Sequence, residues 1–168
     1  MASIIGVETL QHTNGTTAAT IDSSGNVVIS NATSEQFYEE GTHTATDESG
    51  AGLTYTGSNI TGAWVRFGRL VYYNFQIQWP TTSNTLGCKV SLPFTSANSS
   101  DSNTPINDWS MGGFVSYTNQ TVADAISLLI PQGEDHFDIR DLGGGGNITN
   151  ANMSGKHLRG TVIYIKRA

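Results

Sequence analysis

The feature that most constrains this chain is a strict two-residue alternation over residues 70–79. Val71, Tyr73, Phe75, Ile77 and Trp79 fall on one side, and Asn74, Gln76 and Gln78 on the other. Successive side chains point to opposite faces only in extended backbone, so the segment is a strand with one apolar face. Pro80-Thr81-Thr82-Ser83-Asn84 then reads as a turn. The pattern returns at 88–92, where Cys88, Val90 and Leu92 share a face and Pro93 ends the run. It returns again at 112–117, with Phe114 opposite Val115 and Tyr117, and at 158–166, around Thr161-Val162-Ile163-Tyr164-Ile165.

Residues 123–130 are the one stretch with helical potential. Ile126, Leu128 and Ile130 nevertheless alternate with Ala125, Ser127 and Leu129, and Pro131 closes a run too short for an isolated helix. A polar turn, Gln132-Gly133-Glu134-Asp135, leads to a strand at Phe137-Asp138-Ile139. Short strands at regular intervals predict a jelly-roll-like antiparallel β-sandwich over residues 37–168. Residues 1–36 differ: Thr20-Ile21-Asp22 and Val27-Val28-Ile29 flank Ser23-Ser24-Gly25-Asn26, the pattern of a small β-hairpin. A lone hairpin is marginal in water, so this segment is expected to lean on the body domain, a second copy or a larger assembly.

Composition narrows the function. Charged residues make up only 13% of the chain, whereas Ser, Thr and Asn approach a third of it. That polarity without charge suits exposed strand faces and tight turns, and is unlike a disordered chain. A net charge of -6 with scattered Lys and Arg excludes nucleic acid as the expected partner. Lys156 to Arg159, with Lys166 and Arg167, reads as a solvated strand end. No run is long and apolar enough for a transmembrane helix, and the opening Met1-Ala2-Ser3-Ile4-Ile5 lacks the pattern of a signal peptide. The expectation is therefore synthesis in a cytoplasm without membrane insertion. Cys88 is the only cysteine and is expected to be a buried, inert thiol.

Five segments carry a resemblance. Thr20-Ile21-Asp22-Ser23-Ser24-Gly25-Asn26-Val27 resembles a segment frequent in tail-fibre and other virion proteins of marine and cyanobacterial bacteriophages. Tyr38-Glu39-Glu40-Gly41-Thr42 resembles the opening of a β-domain in the same proteins, with His43-Thr44-Ala45 replacing the usual aromatic and proline. Trp64 to Val71 and Leu92-Pro93-Phe94-Thr95 resemble two elements that follow it, and Ser154 to Tyr164 its closing strand. The resemblance implies a phage structural protein, often a homotrimer, whose β-domain faces outward. Residues 1–36 would then attach it to other virion proteins and trimerise it, while 37–168 touch host-surface glycan. A capsid decoration or head-fibre protein with a purely structural role is the alternative. An apolar strand face such as Val71, Tyr73 and Phe75 is expected to gain by burial between copies.

Catalytic constellations are missing from the sequence, so no enzyme is expected. His12, His43, His136 and His157 lack metal-ligand spacing, which predicts neither metal nor cofactor. Adjacent Glu39 and Glu40 point to opposite faces of a strand and cannot flank one sugar bond. Gly143 to Gly146 lacks the Lys-Ser/Thr of a phosphate loop and any flat face for stacking, and reads as a flexible loop. Two binding candidates remain, the first for a glycan and the second for a glycan or a divalent ion. Trp109, with Asn107 and Asp108, combines a large apolar plane with polar neighbours in a polar loop. His136, Asp138 and Arg140 form a second candidate surface, because inward Phe137 and Ile139 would leave these three on the outer face.

Overall fold

The computed structural model describes residues 9–11, 15, 17–21, 23, 27–29, 38–57, 60–101, 111–121 and 125–167. Eleven strands and no helices occur among them, and the strands form two sheets in which every pairing is antiparallel. The fold class is the all-β sandwich that the alternation predicts.

The smaller sheet holds β1 (Thr9–Gln11), β2 (Thr17–Ile21) and β3 (Val27–Ile29) in that order. Its β2–β3 pairing, with Ile21 opposite Val27, is the expected hairpin, and β1 adds a third strand along β2.

The larger sheet runs β4-β5-β6-β11-β8-β9-β10-β7. These strands are β4 (Tyr38–Thr44), β5 (Thr61–Phe67), β6 (Leu70–Gln78), β7 (Lys89–Ser91), β8 (Met111–Thr118), β9 (Ile126–Ile130), β10 (His136–Asp141) and β11 (His157–Ile165). The long central pair, β6 and β11, stays in register from Leu70↔Ile165 to Gln78↔His157. Phe67 pairs with Leu70 across a two-residue turn that begins at Gly68 (φ 57°), a left-handed conformation glycine adopts without strain. At Gly113 the β11 backbone comes so close that an added Cβ would collide with the Thr161 carbonyl.

The sheet curls into a half-barrel until its two ends meet. Just past β4, Ser91 N–H donates to the Thr46 carbonyl (3.0 Å) and Glu48 N–H to the Lys89 carbonyl (3.1 Å). The Ser91 hydroxyl, 2.9 Å from His43 Nε2, also accepts from Thr46 N–H. Both terminal strands are thereby partly capped, which limits the open edge available for uncontrolled pairing.

Inside lie Val71, Tyr73, Phe75, Ile77 and Trp79, as their parity requires. They meet Phe137, Ile139, Leu128 and Val90 from the other half of the sheet, and the Phe75 and Phe137 rings stand 4.8 Å apart. The expectation that Val71, Tyr73 and Phe75 serve contacts between copies is thus corrected: the curl of the sheet already spends that face on the chain's own core. Trp79 donates its indole N–H to Asn150 (3.1 Å), and Asn150 Nδ2 donates in turn to Ser49 Oγ and Asn84 Oδ1. One fully buried amide therefore ties the core to two loops.

The expected parity of β8 also needs correction. A bulge at Ser116 of β8 sets Tyr117 opposite Arg159 and Val115 opposite Gly160 of β11, which shifts the alternation by one residue. Phe114 and Tyr117 consequently both end up exposed, while Val115 packs on the core.

Candidate functional surfaces

Pairing register assigns the outward residues of five neighbouring strands. Tyr38, Phe67, Leu70 and Ile165 form one row across β4, β5, β6 and β11. Glu40, Val65, Tyr72, Ile163 and Gly112 form the next, and Thr42, Ala63, Asn74, Thr161 and Phe114 the one after. Of these, Tyr38, Phe67, Leu70, Tyr72, Phe114 and Ile163 are large apolar side chains left exposed, and Tyr117 joins them beyond the bulge. Isolated exposed apolar residues are ordinary, but a contiguous band on one sheet face is not. The band is poor in charge: Glu40 on β4, which accepts from the Tyr38 hydroxyl (2.7 Å), and Arg159 on β11, over the Tyr117 ring at 5.3 Å. Small Ala63 and Val65, between taller Tyr72, Asn74, Thr42 and Glu40, floor an open groove of about 460 Å³.

Glu39 and Glu40 do lie on opposite faces of β4. The Glu39 carboxylate faces inward and accepts from buried Arg66 Nε (2.5 Å), whose Nη1 donates to the Gly68 carbonyl. Cys88 is fully buried, and burial followed by the charge of Asp47 pushes its thiol up to about 12, so it is not a nucleophile at neutral pH.

The expectation for His136, Asp138 and Arg140 is corrected. They do alternate with Phe137 and Ile139, but His136 and Asp138 are only 6% and 9% exposed. β10 is an interior strand between β9 and β7, and the segment at 92–96 docks on the turn that leads into it through Leu92 N–H to Asp135 O and Ser96 N–H to Glu134 O. Alternation reports which face a residue takes and says nothing of whether that face is covered. The His136 ring sits among carboxylates: Nδ1 is 3.5 Å from Asp135 and 3.8 Å from Glu134, and Nε2 is 3.6 Å from Asp138. Glu134, Asp135 and His136 are the group among the described residues with a donor set for a divalent ion. The same geometry serves a row of ion pairs without any ligand. Trp109, Asn107 and Asp108 lie outside the described residues.

The loop end beyond β10 differs from the flexible loop expected at 143–146. Residues 143–146 form a hydrogen-bonded turn instead of a loose loop: Asp141 N–H donates to Gly146 O (3.0 Å) and Gly145 N–H to Asp141 O (2.9 Å). With Gln120 and Thr121 past β8, and Asn147 and Asn152, the turn borders a pocket of about 310 Å³. The signal was available only as a Gly- and Asn-rich stretch, since its opposite wall comes from a distant segment.

No known protein family matches the sequence, and no curated protein matches it. Among solved structures the fold is similar to that of the Dettilon tailspike protein, a phage protein, with a TM-score of 0.58 at 11% identity. The match covers 78% of this chain and 24% of the tailspike, so the chain spans about a quarter of that protein's length. At this identity the likeness is one of fold.

Proposed function

We propose that this chain is a non-catalytic structural protein of a bacteriophage virion, of the tail-fibre or fibre-tip type. In this reading it assembles as a homotrimer, residues 1–36 anchor it to other virion proteins, and the β-domain contacts host-surface glycan. The observation that carries the reading is the charge-poor apolar band on the outer face of β4, β5, β6, β11 and β8. Charge depletion with aromatic enrichment is the composition of an interface core. Strands about 4.8 Å apart with about 3.4 Å per residue make this face roughly 24 by 27 Å. That is the scale of the ~800 Å² each partner buries in a stable interface. The sandwich fold, shared with a tailspike, and the segments resembling phage fibre proteins support the virion setting.

Light scattering during size-exclusion chromatography tests assembly: a trimer is expected, and a monomer across micromolar concentrations would remove the basis of the reading. Imaging of labelled protein on the particle tests its place. Label on the head instead of the tail would make it a decoration or head-fibre protein.

A further inference from the structure

We propose that the pocket at the loop end of the sandwich, between the 141–152 segment and the residues that follow β8, is a binding site for an uncharged sugar residue. The inference deepens the glycan-contact reading above and rests on it.

The pocket is a collection of unspent hydrogen-bonding capacity. Gly143 N–H donates to Asp141 Oδ1 (3.1 Å), which orients the carboxylate and leaves Oδ2 with no hydrogen-bond partner among the described residues. Asn152 Oδ1 accepts from the Thr149 hydroxyl (2.6 Å) and N–H (3.1 Å), so the amide is fixed and its Nδ2 donors remain open. The Asn147 side chain packs against Gly87, where an added Cβ would sit 2.8 Å from Nδ2. The amide has no hydrogen-bond partner among the described residues. Gln120 is tethered only by its backbone N–H to Thr118 Oγ1 (3.0 Å), and Thr121 adds a hydroxyl.

One fixed amide, a fixed carboxylate, two further amides and a hydroxyl thus border one cavity. Amides donate and accept, and a carboxylate accepts two hydroxyls in fixed directions; this is the complement of a polyhydroxylated ring. The volume of about 310 Å³ lies at the lower end of ligand pockets, the scale of a single sugar ring. Among the described residues the lining contains no Lys, Arg or His and one carboxylate, on a chain of net charge -6. A sugar bearing carboxylate or phosphate would bring like charge to Asp141 without a cation to offset it, so the ligand class is neutral. The site sits on loops at the end of the sandwich, where recognition residues commonly gather.

The experiment is a screen of the full chain against neutral and acidic bacterial-surface oligosaccharides, followed by titration with the binders and with galactose, glucose, mannose and N-acetylglucosamine. Neutral glycans are expected to bind. Asp141→Asn, which keeps the Oδ1 that Gly143 bonds, and Gln120→Ala should each weaken binding five- to fifty-fold at an unchanged melting temperature. Adding Asn147→Ala should abolish it. Neutral-glycan binding that survives all three substitutions overturns the site and leaves the glycan reading intact. Binding restricted to acidic glycans overturns the ligand class. A wild-type protein that binds no glycan overturns both this inference and the glycan part of the proposed function.

Discussion

β6 and β10 carry the same two-residue alternation and treat it in opposite ways. In β6 the alternate positions facing away from the core include Leu70 and Tyr72, apolar and exposed. In β10 they are His136 and Asp138, polar and buried. The difference lies in what covers the second face. β10 sits among neighbours within the chain and must satisfy its polar groups there, whereas the outer face of β6 lies beside Phe67, Val65 and Ile163 with nothing of the described chain over it. Polar residues inside and apolar residues outside both mark departures from a simple half-buried sheet. The first leaves polar groups to find partners within the chain, and the second is the surface on which the proposed assembly rests.

The largest effect expected from this contrast is on the inner face of β6. Phe75 packs on Phe137 at the centre of the core, so Phe75→Ala should cost about 3–5 kcal/mol. At roughly 2–4 °C per kcal/mol for a domain of this size, the melting temperature falls well outside experimental error. A change of under about 1 kcal/mol would mean that the curled sheet does not close on itself as described.

Next comes β10. His136→Ala removes the imidazole whose Nε2 lies 3.6 Å from Asp138 Oδ1, a buried oxygen with no hydrogen bond among the described residues. Leaving that carboxylate without the imidazole should cost about 1–3 kcal/mol, while His136→Leu combined with Asp138→Leu should recover most of it, because two apolar residues leave no polar group unpaired. Denaturant melts of the three proteins decide the matter. If the double variant is as unstable as the single one, the pair is not what burial of β10 depends on.

Much of this architecture is legible in the chain, and the unreadable parts share a cause. The strands, the hairpin at Thr20 to Ile29 and the inward set Val71 to Trp79 follow from local period and turn chemistry. Coverage of β10, the join between Thr46 and Ser91, and the pocket wall that unites Gln120 with Asn152 depend on contacts far apart in sequence, which parity does not encode. The bulge in the β8–β11 pairing shifts Tyr117 by one residue with no glycine or proline at the site of slippage in β8 to announce it. The inert thiol, by contrast, follows from parity alone.

Cys88 gives a smaller effect. Replacing a buried thiol with a hydroxyl in apolar surroundings should cost about 1–2 kcal/mol for Cys88→Ser. Because burial raises the thiol to about 12, the folded protein at pH 8 should resist iodoacetamide and react only on unfolding. Rapid labelling of the native protein would show that the wall formed by β7 opens far more readily than β6.

The smallest effect on stability is expected where the effect on assembly is greatest. Ile163 lies at the middle of the exposed band, between Tyr72 on β6 and Gly112 on β8, and is 42% exposed. A surface substitution away from a core contact stays within about 0.5 kcal/mol, so Ile163→Glu should melt almost as the parent does once both are compared at dilutions that favour the monomer. At high concentration the two should part. A carboxylate buried at the centre of an interface costs several kcal/mol unless a cation meets it, enough to convert an assembled protein to monomer at micromolar concentration. Arg159→Glu, at the margin of the same face, should weaken assembly less, since a rim charge remains hydrated. Light scattering that finds Ile163→Glu fully assembled would place the contact between copies elsewhere and leave the apolar band of β6 without a partner.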